Sequence, residues 1–277
     1  MNAAPLPAKG TMTTEPEIRI LLLDTETNGL PKNRYAPITT GGNWPAILQL
    51  SWAEYAVQGS TLRTIVKRDI GLALAATEAW DAGAARIHGI TETEARRGTA
   101  PAVALQELAA ALRRVQVVVA HNLSFDKPVI RAAAHAAWAS SACAVSGTAE
   151  ILRNIWPEGL HEFCTMEATR DLLRIPLPSA PTSGRWKAPR LNELYTWLYG
   201  HVYDMSGAVL HTAQSDTHCL ERCVAGLLRK GRIVIRGGRI VASPTLAMAA
   251  AADVAASATG ASSPSSPSTP LAAPPVH

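Results

Sequence analysis

The chain has 277 residues, 47% of them hydrophobic and 17% charged, enough to bury a core of ordinary domain size. No run approaches the ~20 apolar residues of a membrane helix. No apolar block of useful length follows the N-terminus, so neither a span nor a secretory signal is expected and the chain reads as soluble and cytoplasmic. The formal net charge is +4, but Arg229, Lys230, Arg232, Arg236 and Arg239 sit in one stretch without an acid; the remainder carries 21 basic against 22 acidic residues.

In chain order, residues 1–17 are rich in Pro, Ala and Thr and are expected to be flexible. The continuous apolar run Ile18–Leu23 predicts a buried central strand ending at Asp24. Segments 46–55 and 62–68 predict two further strands, making a three-strand meander after a loop from Pro31 to Pro45. Thr91 and Glu94 have capping-box spacing, and Pro101 opens a helix to about Arg114 with Leu105, Leu108 and Leu112 on one face. Residues 115–120 predict a second buried strand, followed by a helix from Phe125 to Trp138. Further helices are expected over 166–173, 191–199 and 212–228, with a Pro/Ser-rich loop at 176–189. Strands at 232–235 and 239–242 flank Gly237–Gly238 as a terminal hairpin. From Pro244 to His277 the composition is Ala, Ser, Pro and Thr with a single charge, Asp253, which predicts a disordered tail. The domain proper is thus 18–230, the basic hairpin extension 231–243 and the tail 244–277. Strands mixed with helices indicate an α/β domain with a mixed sheet.

Cys143, Cys164, Cys219 and Cys223 show no disulfide-framework spacing. Cys219 and Cys223 lie four apart beside His218, but no second ligand pair accompanies them, and they read as buried thiols.

Three segments each put an acid at an element end. Asp24 and Glu26 are two apart on a strand and so share a face, where adjacent like charges resist ionising unless a cation compensates. Asp126, in His121-Asn122-Leu123-Ser124-Phe125-Asp126, follows the second buried strand at a helix start, where a first-turn acid needs no special role. His211 and Asp216 lie five apart near the start of the last long helix. Each alone has an ordinary structural reading. Together, four carboxylates and a histidine from three distant segments suit two divalent ions, with oxygen ligation pointing to Mg²⁺ or Mn²⁺. Imidazole is the side chain suited to take a proton from water near neutral pH.

The order Asp-x-Glu, His-Asn-x-x-x-Asp, His-x-x-x-x-Asp resembles the DnaQ-like, or DEDDh, 3′→5′ exonucleases over residues 18–230. Gln49-Leu50-Ser51-Trp52, His88-Gly89-Ile90-Thr91 and Leu191-Asn192-Glu193-Leu194 agree as secondary marks. The resemblance implies a ribonuclease H-like fold, a five-stranded mixed sheet flanked by helices. It implies that Asp24 bridges two metal ions, that Glu26 and Asp216 complete the first and Asp126 supports the second, and that His211 activates water. It further implies that Thr27 and Asn122 contact the 3′-terminal nucleotide, that Leu30 wedges against terminal bases in a turn made by Gly29, and that His88 is structural. The expected activity is removal of nucleoside monophosphates from the 3′ ends of mainly single-stranded DNA, in proofreading, repair or end trimming. An exoribonuclease on the same scaffold is the alternative. A polymerase or replication protein is a candidate partner, and the tail a candidate tether. A catalytically dead nucleic-acid-binding module would lack at least one of the five groups, and all five are present.

Two features stand outside the motifs. Arg185, Trp186 and Lys187 form a cation–aromatic–cation run suited to stacking on a base and holding a phosphate, or to packing one tryptophan. The basic hairpin reads either as an extension of the nucleic-acid surface or as an edge guarded by charge.

Overall fold

The computed structural model describes residues 17–140, 148–204 and 211–243. The expected flexible residues 1–16, Cys143 and the expected disordered tail 244–277 lie outside them.

The sheet is built on β1 (Ile18–Thr27), whose two faces are both buried. β2 (Ile47–Gln58) pairs antiparallel with β1, and β3 (Thr61–Gly71) antiparallel with β2. This is the expected meander, with every strand longer than its apolar run. On the other flank of β1, β4 (Val117–Ala120) and β5 (His161–Cys164) run parallel to it, giving the order β3-β2-β1-β4-β5. β5 was not foreseen: its four residues, His-Glu-Phe-Cys, carry neither an apolar run nor alternation, and pairing with β4 makes them a strand.

Alternation along β1 sorts the helices into two layers. Leu21 and Leu23 face a core with α3 (Pro101–Leu112), α4 (Leu123–Ala139) and α5 (Thr148–Arg153). In α3, Leu105, Leu108 and Leu112 are fully buried, each contributing about 1.5–3 kcal/mol. Ile18, Ile20 and Leu22 face the opposite core, filled by α6 (Thr165–Leu173), α7 (Leu191–Tyr199), α8 (Ala213–Arg229) and the hairpin β6 (Ile233–Arg236) and β7 (Arg239–Ala242). The hairpin's Ile233, Ile235 and Ile240 are buried there, and His161 Nε2 lies 3.0 Å from the Ile240 carbonyl.

Two short helices, α1 (Ala82–His88) and α2 (Glu92–Arg96), close the β3 end. The expected capping box starts α2: the Thr91 amide donates to Glu94 at 2.8 Å and the Glu94 amide to Thr91 Oγ1 at 3.3 Å. α1 and α5 were not expected, having too few residues for a period to be read. Cys219 and Cys223 are buried free thiols, as read from their spacing. Among the described residues no helix is long and apolar enough to cross a membrane.

Past β3 the chain is pinned by Gly98. A Cβ there would lie 2.3 Å from the Leu72 carbonyl carbon and 2.6 Å from the Ala73 nitrogen, where Thr99 bridges to Leu72. Backbone cannot yield as a side chain does. Gly98→Ala is therefore expected to destabilise the fold by about 1–3 kcal/mol, read as a lowered midpoint in urea unfolding.

Candidate active site

The alternation that sorts the helices also sorts the acids. Asp24 and Glu26 continue the face of Ile20 and Leu22, towards α8, while Thr25 continues the face of Leu23, towards α4. α8 delivers Asp216 in its first turn, and carboxylate oxygens of Asp24, Glu26 and Asp216 come within 4.8 Å of one another. α4 delivers Asp126. The helix starts at Leu123, two residues before the sequence suggests, and Asp126 lies in its first turn as expected, 3% exposed. Thr25 Oγ1 donates to Asp126 Oδ1 at 2.8 Å. The structure thus brings all four acids to the C-terminal end of β1, three in contact range and the fourth buried behind Thr25.

Their electrostatics follow from this placement. Burial, and then repulsion from Asp126, Asp216 and Glu26, pushes the Asp24 carboxyl well above the usual carboxylate range. Burial, then Asp216 and Asp126, raises Glu26 to about 8. Burial raises Asp126 to about 7 against the Thr25 hydrogen bond, which favours its ionised form. Asp216 is raised by burial and held back by His211. Such a set of oxygens accepts a divalent cation readily, because the cation replaces the missing solvation and cancels the repulsion.

His211 precedes the N-cap of α8, exposed and in left-handed backbone (φ 54°). Its Nδ1 lies 3.8 Å from Asp216 Oδ2, beyond direct hydrogen-bond length. α8 is capped by Thr212, whose side chain accepts from the Ser215 amide at 3.1 Å. Its register is fixed by a residue whose part in the site the sequence did not reveal. Gln49 on β2 accepts from the Ala213 amide at 3.0 Å and donates to Asp69 on β3 at 2.9 Å. Gln49 also stands opposite Glu26 in the sheet. Its motif was visible in Gln49-Leu50-Ser51-Trp52, but its partner is 164 residues away.

The cleft, about 780 Å³, is lined by Asp24, His121, Arg190, Asn192, His211 and Asp216 among others. His121 was likewise read only as a motif letter. Its ring bridges Thr165 Oγ1 and the Pro189 carbonyl, both at 2.9 Å, and burial lowers its pKa to about 4. Neutral, it donates from Nε2 to Pro189 and accepts the Thr165 hydroxyl at Nδ1, tying the loop before α7 to the end of β4.

Among the expected substrate contacts, Leu30 is 79% exposed just beyond β1, and Gly29 beside it has φ 100°. Thr27 is buried, its hydroxyl donating to the Gly29 carbonyl at 2.8 Å. Asn122 is left-handed (φ 79°) at the start of α4 and accepts from Ser124 Oγ at 2.9 Å. Lys187 is ion-paired with Glu193 at 2.7 Å, and Trp186 bridges to Pro176 in the backbone. Ala188, Pro189 and Arg190, rather than the 185–187 run, line the cleft. His88 is buried and accepts from the Ile90 amide at 3.1 Å, away from the acids.

The raised carboxyls carry a sign. Folding favours their protonated forms, so metal-free stability from these groups is full below about pH 4 and falls as pH rises through about 7 and 8. Mg²⁺ or Mn²⁺ is expected to raise Tm more at pH 8 than at pH 5. Glu26→Gln should raise the metal-free Tm at pH 8 and blunt the metal response. Each ~1 kcal/mol appears as about 2–4 °C in thermal unfolding, and equal metal responses at both pH values would contradict the assignment.

No protein-family model matches the sequence, and no curated protein is significantly similar to it. The fold does match solved structures. Escherichia coli exonuclease I with a dA16 oligonucleotide aligns at TM-score 0.54 and 17% identity, covering 78% of this chain and 42% of that one. The zinc-bound form of its complex with single-stranded DNA aligns at TM-score 0.52 and 18% identity, covering 77% and 41%. A complex with a 5cy-dT13 oligonucleotide aligns at TM-score 0.54 and 16% identity, covering 78% and 41%. The chain spans about two fifths of the length of these structures. With its sheet order β3-β2-β1-β4-β5 and helices on both faces, the chain has the ribonuclease H-like fold that E. coli exonuclease I also has.

Proposed function

We propose that this chain is a divalent-metal-dependent 3′→5′ exonuclease acting on single-stranded polynucleotides, DNA in preference to RNA. The observation that carries the reading is the gathering of Asp24, Glu26 and Asp216 within 4.8 Å, with Asp126 buried beside them and His211 3.8 Å from Asp216. The preference for DNA is supported by the oligodeoxynucleotides held in exonuclease I structures of the same fold.

Asp24, Glu26 and Asp216 would hold one divalent ion, with Asp126 and Asp24 serving a second. When bound, such ions supply charge stabilisation for the attacking and leaving oxygens of an in-line phosphoryl displacement. The chain's own groups do the rest. With Nδ1 turned to Asp216, the Nε2 of His211 is free to take a proton from the attacking water, and Asp216 stabilises the imidazolium so formed. His211 is exposed at the cleft, where such a water can reach it. Leu30 projects from the turn after β1, a position suited to wedging against a terminal base, and Thr27 and Asn122 flank the same end of the sheet. His121 and Gln49 act at one remove, His121 fixing the cleft wall at Pro189 and Gln49 fixing α8 so that Asp216 meets Asp24.

A 5′-labelled single-stranded DNA with Mg²⁺ is expected to give a ladder shortening from its 3′ end. Asp24→Ala should abolish it, and His211→Ala should slow it about 10²–10⁴-fold. An RNA of the same sequence should shorten more slowly. Faster loss of the RNA would assign the site to RNA trimming, and metal-dependent cleavage of neither strand would overturn the nuclease reading.

A further inference from the structure

The cleft does not end at the acids. Asn192 and Val202 belong to its wall and equally to a second groove of about 360 Å³ on the outer side of α7, which continues past Thr196 to Trp197. Val202 is 67% exposed and Trp197 37% exposed, so the groove presents apolar and aromatic surface to solvent. Glu193 is the one ionisable residue among its described lining residues, and Lys187 neutralises it at 2.7 Å.

At the far end the guanidinium of Arg232 lies over the Trp197 ring, 5.9 Å from its centroid. Arg232 is half-buried, forms no ion pair among the described residues, and its Nε is buried with no hydrogen-bond partner among them. A guanidinium held against an aromatic face without an anion is incompletely satisfied. It also heads the stretch containing Arg236 and Arg239, neither of which pairs with a carboxylate among the described residues. Unmatched cations, an exposed ring and continuity with the acid cleft together point to one kind of occupant, an anionic chain bearing flat rings.

We propose that this groove is an upstream nucleotide subsite, where a base of a single-stranded polynucleotide stacks on Trp197 and an adjoining phosphate meets Arg232. Asn192 and Trp197 are five residues apart on α7, about 7.5 Å along its axis. A strand rising ~3.4 Å per nucleotide covers that span in about two stacked nucleotides. The subsite rests on the exonuclease reading only for polarity: the 3′ end lies at the acids, and the nucleotides held here lie on its 5′ side. The sequence offered the basic extension and the 185–187 run as separate candidates for holding nucleic acid. The basic extension grips a strand through one stacked arginine, while the 185–187 run is partly committed to Glu193.

The test is fluorescence anisotropy of labelled oligothymidylates on the full chain, in an Asp24→Asn background with EDTA, so that binding is read without hydrolysis. The quantity is the gain in affinity from a trinucleotide to an oligomer of about 16 nucleotides. Trp197→Ala is expected to shrink that gain about 5- to 100-fold, and Trp197→Phe to restore most of it. Arg232→Ala should lower the slope of log affinity against log salt by about 0.7. Arg131→Ala, which removes an exposed arginine from α4 in the opposite layer, should leave the gain intact. A gain unchanged in Trp197→Ala, a salt slope unchanged in Arg232→Ala, or no gain at all in the parent, would overturn the subsite. Hydrolysis by the unsubstituted chain is scored separately. A Trp197-dependent gain in a protein that cleaves neither DNA nor RNA keeps the subsite and removes the exonuclease reading, while cleavage with a gain indifferent to Trp197 does the reverse.

Discussion

Asp24, Glu26, Asp126 and Asp216 repel one another in a setting that already disfavours their ionised forms, and the domain is organised so that they cannot separate. Asp24 and Glu26 are fixed on the central strand, which pairs with β2 opposite both acids and with β4 as far as Leu22. Asp216 is fixed because α8 is docked through Val224, Leu227 and Leu228 and tethered at its first residue by Gln49. Asp126 is fixed by Thr25, the residue between the two strand acids on the opposite face. The cluster is therefore a stored demand for positive charge.

The two helical layers divide the work around that demand. The α3–α5 layer supplies Asp126 and much of the buried apolar mass. The α6–α8 layer, with the β6–β7 hairpin, supplies Asp216, the cleft walls and the exposed aromatic groove. His121 ties the second layer to the sheet, since it follows the end of β4 and holds both Thr165 on α6 and the chain before α7. A half-buried neutral imidazole with both nitrogens engaged is a fixed strut rather than a proton carrier, in contrast to exposed His211.

Carboxylate clusters at sheet ends suit in-line phosphoryl chemistry because the sheet end is open on one side and rigid on the other. The open side admits a chain end, and the rigid side keeps the ligand oxygens within the few tenths of an ångström that Mg²⁺ coordination tolerates. On the open side the cleft shares Asn192 and Val202 with the Trp197 groove.

The sequence by itself determined the elements with strong local signals: the apolar run into Asp24, the Leu105–Leu108–Leu112 stripe, the Thr91–Glu94 box and, to within a residue, the helices read at 191–199 and 212–228. It also offered the four acids and His211 as a set, because their motif spacings survive in one dimension. It did not foresee β5, α1 or α5, whose few residues carry no readable period and owe their form to neighbours. Nor did it assign Gln49 or His121 a task, since each acts on partners 20 to 164 residues away. Only the tertiary structure decided that Lys187 is taken by Glu193 while Arg232 lies over Trp197 with no carboxylate partner among the described residues. Composition counts both as positive charges. Which of them remains available depends on where folding leaves the acids.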